Sequence, residues 1–430
     1  MTEWRDLFAE ATDSAPPSRL VADEVYAAGR QRRRRRAVVA NAAVAVALAM
    51  GAGTGIAAMV RSEPTVRGES GTGGEKSLPG VLPYPGGLVQ MVRAADARHL
   101  YVLVSTQSSC AKQPCDKSSM QLVGSDDGGR TWSDRGGPIR VTGFEVLKAG
   151  RLLAVEPSGP SDTKEWELRT STDGGRTWHT TERAPAVAAV SSGSTALCWP
   201  ESGGVAGSPC IVHALDPTSR RIAPLTNQPP LTLSTELLIG ESGGRLWASG
   251  VDQATGRPAV AVSRDAGRTW STKVFVDAPA CSSEGCQPPY LTTGDGPTAY
   301  AVVVRVRHRA VYRYVENAGR DGGDWQRDTG VDKVPVDHLV GGAQSFVAAD
   351  GTHVLSQVVP HPDRDIEGYR WWVARPNDGT YQPVELPGLP ATVFPIRRTP
   401  DGWFYAHSYP DGVLYGSTDG WRWSPVARSS

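Results

Sequence analysis

The sequence predicts an all-β protein: a seven-bladed β-propeller with four-stranded blades, preceded by one N-terminal transmembrane helix. Three observations predict it: a turn motif whose full copies are spaced by 46 and twice 46 residues, a composition rich in turn formers, and a 24-residue run without charge near the N-terminus. Of 430 residues, 48 are Gly, 33 Pro and 13 Trp, with only 39% hydrophobic and 7% aromatic. Such a chain makes short strands joined by many turns rather than long helices. Lys plus Arg total 45 and so do Asp plus Glu, which leaves no net charge. Basic residues cluster only before the apolar run, so the electrostatic footprint of a nucleic-acid binder is absent and no nucleic-acid partner is expected. Arg outnumbers Lys by 38 to 7, a bias typical of a GC-rich genome such as an actinobacterium's.

Residues 37–60 read AVVANAAVAVALAMGAGTGIAAMV. About 20 such residues suffice to cross the hydrocarbon core as a helix. Arg32 to Arg36 precede the run, and by the positive-inside rule they hold the N-terminus in the cytoplasm. Residues 1–36 are then a cytoplasmic arm with a polybasic end, and everything after Arg61 is extracytoplasmic at the cell membrane. A cleaved signal peptide is the competing reading, since Ala47-Leu48-Ala49 offers a small-x-small site. Gly51 and Gly55 form a GxxxG, a weak helix-pairing signal in so Ala-rich a span. Residues 61–78 are rich in Gly, Ser and Glu, the composition of a flexible linker, so the folded domain is expected at 79–430.

Within that domain Ser125 to Trp132 reads SDDGGRTW, Ser171 to Trp178 STDGGRTW and Ser263 to Trp270 SRDAGRTW, while Ser417 to Trp423 gives a shorter STDGWRW. The chemistry of a tight turn accounts for these residue types. Gly129, Gly175, Gly267 and Gly420 suit positive φ, and Asp127, Asp173, Asp265 and Asp419 can accept backbone N–H groups across the turn. Thr131, Thr177 and Thr269 favour extended backbone, and Trp132, Trp178, Trp270 and Trp423 can bury a large ring against the next element. The full copies start at 125, 171 and 263, so one copy is missing near 217, where Leu215 to Arg221 makes a degenerate turn. Glu316 to Trp325 and Arg375 to Tyr381 add two more turn clusters, for seven in all. Extended runs such as Leu100 to Ser105 and Met120 to Gly124 precede each turn. Residues 79–430 divided by seven give units of about 50, the size of a propeller blade.

The pattern S-x-D-x-G-x-T-W resembles the Asp-box, or bacterial neuraminidase repeat. That repeat is found in sialidases, in the sortilin-type ectodomain, in a photosystem assembly factor and in some xyloglucan hydrolases. The resemblance implies that the motif sits between the third and outermost strand of a blade. It does not extend to the sialidase catalytic set. No Phe/Tyr-Arg-Ile-Pro segment precedes Ser125, and the nearest string, Phe394-Pro395-Ile396-Arg397-Arg398, has another order.

All six cysteines follow the apolar run and fall into local pairs. In an oxidising compartment they are expected as three disulfides, Cys110–Cys115, Cys198–Cys210 and Cys281–Cys286. Zinc is the alternative, but a C-x4-C spacing without nearby histidines suits it poorly. His308, His338, His353, His361 and His407 are scattered and read as surface or loop histidines. Tyr369-Arg370-Trp371-Trp372 and Trp403-Phe404-Tyr405 are either core strands or an aromatic binding surface. No catalytic residue, cofactor or metal ligand is assigned. The expectation is a membrane-anchored binding or scaffold module for a protein, peptide or glycan. The alternative is an exo-sialidase-like or other glycoside hydrolase.

Overall fold

The computed structural model describes residues 80–82, 88–105, 120–136, 139, 141, 143–148, 151–157, 166–200, 209–233, 237–278, 280, 287–305, 308–316, 323–335, 344–360, 367–375, 379–393, 395–408 and 412–429. The expected arm, membrane span and linker lie outside these residues, as do Cys110, Cys115, Cys281, Cys286, His338 and His361. Among the described residues no helix is long and apolar enough to cross a membrane. The described residues all belong to one compact unit, Gly74–Ser430.

Seven sheets follow one another along the chain, and the protein is an all-β, seven-bladed propeller. Blade 1 consists of Leu88–Ala94, Leu100–Ser105, Met120–Ser125 and Ser133–Asp134, paired in that order from inside to outside. Blade 2 repeats the plan with Gly143–Lys148, Arg151–Pro157, Trp166–Ser171 and His179–Thr180. Blade 5 (from Tyr290–Thr293 to Gly323–Asp328), blade 6 (from Ser345–Val347 to Gln382–Val384) and blade 7 (from Arg397–Arg398 to Ser424–Ser429) do the same. The second and third strands are apolar on both faces because each blade is sandwiched between two others. Leu100–Ser105 and Pro258–Ser263 are buried at every residue, as sheets covered on both faces require.

Blades 3 and 4 depart from the plan. In blade 3 the inner edge belongs to residues 237–239, and the named strands outward from it are Thr195–Trp199, Ile211–Asp216 and Arg221–Pro224. Its fourth strand, Glu182–Arg183, runs parallel along the outer edge. That parallel course continues, since the Ala184 N–H donates to the Ile222 carbonyl and the Val187 N–H to that of Pro224, each at 2.9 Å. Blade 4 has its inner strand in two pieces, Leu231–Leu233 and Gly240–Ser242, both antiparallel to Arg245–Asp252. Between the pieces, residues 237–239 cross to blade 3, where Cys198 N–H donates to Leu237 O at 2.9 Å and Ile239 N–H to Ala196 O at 3.1 Å. The gap left by the displaced strand is thereby filled and buried backbone groups are paired. Cys198 and Cys210 form a disulfide across the hairpin of blade 3, with Cα atoms 5.3 Å apart.

Seven apolar clusters hold the ring, one at each junction between neighbouring blades. The last joins blade 7 to blade 1 through Leu82, Val92, Leu100, Val102, Trp132, Trp403 and Leu414. Closure uses a short parallel strand, Val81–Leu82, on the outer edge of Ser424–Ser429, with Arg428 N–H donating to Gly80 O at 2.7 Å. Ring closure covers the apolar faces of blades 7 and 1 that an open array would expose, and the sheet edges that remain are short.

The recurrent turn lies between the third strand and the next one outward in blades 1, 2, 4 and 7, the latter strand being outermost in all but blade 7. In the first copy Ser125 Oγ accepts the Gly129 N–H at 2.8 Å and donates to Asp127 Oδ1 at 2.8 Å. Asp127 also accepts the Thr131 N–H at 2.8 Å and the Thr131 hydroxyl at 2.6 Å. Copies at Ser171 and Ser263 repeat this set. The short copy lacks the threonine, and Asp419 accepts from the Trp421 and Arg422 N–H groups instead. Burial would raise the carboxyl pKa of Asp127 and Asp173, but the bonds from threonine and serine outweigh it and hold both at about 2. The degenerate turn of blade 3 keeps an aspartate, Asp216, which accepts from Thr218 N–H and Ser219 Oγ at 2.8 and 2.7 Å.

The turn glycine does more than supply its positive φ of 83° at Gly129 and 87° at Gly175. A Cβ on Gly129 would meet Val426 Cγ1 of blade 7 at 2.8 Å, and one on Gly175 would meet Leu122 Cδ2 of blade 1 at 2.6 Å. Each of these glycines is therefore the point at which a blade touches its predecessor. The tryptophans lean the same way. All four pack in the cluster shared with the preceding blade, not against a following element. Trp132 and Trp423 are buried, whereas Trp178 and Trp270 are half-buried.

Candidate ligand-binding site

Strands alternate in direction from the channel outward, so the turn after each innermost strand and the recurrent turns share one end of the ring. At that end the channel opens into a cavity of about 780 Å³. Its wall comes from the ends of the innermost strands of blades 1, 2, 4, 5 and 7 and from residues 190–195 of blade 3. None of the described lining residues belongs to blade 6. The displaced strand of blade 3 shapes one side, since its place at the mouth is taken by the Ser191 to Thr195 run of small hydroxyl residues and Gly193.

The opposite side is basic. Arg93, in blade 1, is 8% exposed and meets Glu145 of blade 2 through two bonds, Nε to Oε2 and Nη2 to Oε1, both 2.7 Å. Its third donor reaches the Val92 carbonyl at 2.9 Å. Burial alone would lower the Arg93 pKa, yet the charge and hydrogen bonds of Glu145 outweigh it and raise it. Arg397 pairs in register with Tyr405, which is buried at the foot of the cavity. Burial raises the Tyr405 hydroxyl, tempered by the charges of Arg397 and Arg93. Burial, reinforced by the same two arginines, pushes His407 down to about 4. Arg398 Nη2 donates to Asp295 at 2.7 Å, from blade 7 to a blade 5 turn. Nε of both Arg397 and Arg398 is buried without a hydrogen-bond partner. Glu241, on blade 4, is the remaining carboxylate of the mouth and is exposed.

Of the four recurrent turns only that of blade 4 reaches the cavity, through Ala266; the serine, aspartate, glycine, threonine and tryptophan that define the motif are not among the described lining residues. Of the aromatic runs, Trp371, Trp403, Phe404 and Tyr405 are buried in the core, and Tyr369 and Trp372 are half-buried against neighbouring clusters. His353, read from the sequence as a surface or loop residue, is fully buried, with its ring stacked on Tyr300 at 4.0 Å and Nδ1 at 2.5 Å from the Tyr381 hydroxyl. Among the described residues no group of three His, Cys, Asp or Glu side chains is placed to hold a metal ion. Sequence reasoning missed Arg93, Glu145, Glu241, Asp295 and Arg398 as a set. Their shared signal is position, within three residues of the end of the first strand of a blade.

A propeller with a polar, ion-paired mouth is the class that fold and site define. No family model matches the chain, and no curated protein sequence is similar to it. Solved structures similar to it include YCF48 bound to D1 peptide, at 14% identity over 81% of this chain and 88% of that one, with a TM-score of 0.32. An alpha-L-arabinanase of Penicillium chrysogenum complexed with arabinobiose matches at 14% identity over 82% and 98%, TM-score 0.37. The chain spans 55% of the Niastella koreensis GH74 enzyme, with 80% of itself covered, 13% identity and a TM-score of 0.27. At such identities no ligand and no chemistry carries over from these proteins.

Proposed function

We propose that this chain is a membrane-anchored, extracytoplasmic Asp-box propeller that binds a protein, peptide or glycan at its channel mouth without chemically changing it. The observation that carries this reading is that two of the three described carboxylates at the mouth are committed to arginines, which leaves Glu241 alone. Glu145 spends both oxygens on Arg93, and Asp295 is engaged by Arg398. A glycoside hydrolase needs two carboxylates about 5–10 Å apart, one of them free to donate a proton. A fixed, concave, polar mouth on a closed ring suits recognition, for which propellers use their turns and loops. The uncharged 37–60 segment behind five arginines supports the anchor.

The test is a paired one. Immobilised wild-type protein is expected to retain a ligand from the extracytoplasmic fraction that an Arg397→Gln column fails to retain, and a panel of fluorogenic glycosides is expected to stay intact. Glycoside turnover that disappears in Glu241→Gln would replace the binding reading with the hydrolase one. Release of the full-length chain from membranes by alkaline carbonate would remove the anchor.

A further inference from the structure

The two arginine–carboxylate pairs at the mouth differ in exposure. Side chains of Arg93 and Glu145 are 10% and 17% exposed and doubly bonded. Arg398 is similarly covered at 16%, but Asp295 is 77% exposed and gives a single oxygen. An exposed carboxylate that swings away regains its hydrogen bonds from water, so little is lost on its side. The guanidinium it leaves behind lies over the buried Phe404 ring, 5.3 Å from its centroid, and its Nε is already unpartnered. A covered cation in that state demands another anion. Beside it, Arg397 has no ion-pair partner among the described residues, and its Nε is likewise buried and unpaired. Asp295 reaches Arg398 from blade 5 to blade 7, past blade 6, on the side of the wall to which blade 6 gives no described lining residue.

We propose that the Asp295–Arg398 pair is a latch over the channel mouth, opened by an acidic peptide whose carboxylates settle on Arg397 and displace Asp295 from Arg398. This deepens the binding reading above and rests on it. The group now on Arg398 is itself a peptide carboxylate, carried on the Gly294-Asp295-Gly296 turn, so the site already accommodates an aspartate on a slender backbone. A sugar acid would want an aromatic platform for its ring. The one aromatic residue among the described lining residues, Tyr405, is only 5% exposed. Glu241, across the ring on blade 4, repels anions from its own side and so favours seating on the arginine side.

The probe is a fluorescein-labelled Gly-Gly-Asp-Asp-Gly-Gly peptide, titrated by fluorescence anisotropy into the full-length chain in detergent. An Asn-Asn peptide serves as the neutral control and trigalacturonate as the sugar-acid arm. Asp295→Asn, on an exposed turn, is expected to bind the probe at least threefold more tightly than wild type, and Arg397→Gln at least fivefold more weakly. In an Arg398→Gln background Asp295→Asn is expected to change nothing, which separates a latch from a general loss of negative charge. An unchanged or weaker affinity in Asp295→Asn, with Arg397→Gln still impaired, would overturn the latch and leave the binding reading standing. Failure of wild type and Asp295→Asn alike to bind the probe would overturn the peptide carboxylate, while the capture experiment still judges the binding reading. Tighter binding of trigalacturonate than of the peptide would overturn the peptide assignment.

Discussion

Trp132→Ala is expected to destabilise the propeller by about 3–5 kcal/mol, the range for deleting a buried large aromatic, whereas Trp178→Ala and Trp270→Ala should cost half of that or less. The motif is the same in all three; the surroundings are not. Trp132 is 5% exposed, donates its indole N–H to the Gly129 carbonyl at 3.0 Å and sits in the cluster that closes the ring between blades 7 and 1. Trp178 and Trp270 are half-buried at the margins of their clusters. Trp423, at 6% exposure and bonded to Gly420 O at 3.1 Å, belongs with Trp132. Urea unfolding of the four variants decides it. Equal losses at all four positions would mean that the turn itself, not the blade junction, uses the tryptophan.

Acidification is expected to unfold the protein in two windows, the first governed by buried histidine. His353 is fully buried and burial holds its pKa at about 3, against 6.5 for a free imidazole. Between those values the unfolded chain binds a proton that the folded chain refuses. The stability is therefore complete above pH 6.5 and is lost as pH falls towards 3. By pH 5 this one group removes about 2 kcal/mol, at about 1.4 kcal/mol per pH unit. His407, held at about 4, acts with the same sign over the same interval. His353→Phe keeps a ring on Tyr300 but leaves the Tyr381 hydroxyl without this partner. The variant should be less stable than wild type at pH 7.5, with the gap closing by about 2 kcal/mol at pH 5. A gap independent of pH would show that His353 is not the group responsible. The second window belongs to Asp127 and Asp173, held at about 2. Their contribution is intact above the ordinary carboxylate value of 3.8 and disappears as pH drops to 2.

Legibility in the sequence followed the range of the interactions. The turns were readable because serine, aspartate, glycine and threonine bond within one short stretch, and equal spacing turned four copies into seven blades. Even the missing copy near 217 has its counterpart in the Asp216 turn. The rearranged strands of blades 3 and 4 were not readable. They depend on residues 237–239 pairing with Ala196 and Cys198, some 40 positions away, and local alternation carries no record of that. The part played by the turn glycines in blade-to-blade contact was hidden for the same reason, since Val426 lies almost 300 residues from Gly129. The mouth was least readable of all. Arg93, Glu145, Asp295 and Arg398 are single charged residues in unrelated contexts, and only the ring brings them together. In the sequence Arg397 and Arg398 stand out only as part of a string in the wrong order for a catalytic motif.

The Val81–Leu82 strand also sets an order of events in time. Blades 1 to 6 each complete themselves from neighbouring segments, with pairings such as Leu100 to Ser125 or Trp371 to Val384 that close loops of tens of residues. Joining Gly80 to Arg428 closes a loop of about 350 residues, and contacts of that sequence separation form slowly and late. A chain emerging from N- to C-terminus therefore passes through an incomplete arc. In that arc the closing face of blade 1, with Val92, Leu100, Val102 and Trp132, waits uncovered until Trp403 and Leu414 arrive. The last blade made is thus the one on which solubility during biogenesis depends, and slow or truncated synthesis of its final 30 residues should be felt as aggregation rather than as a merely weaker fold.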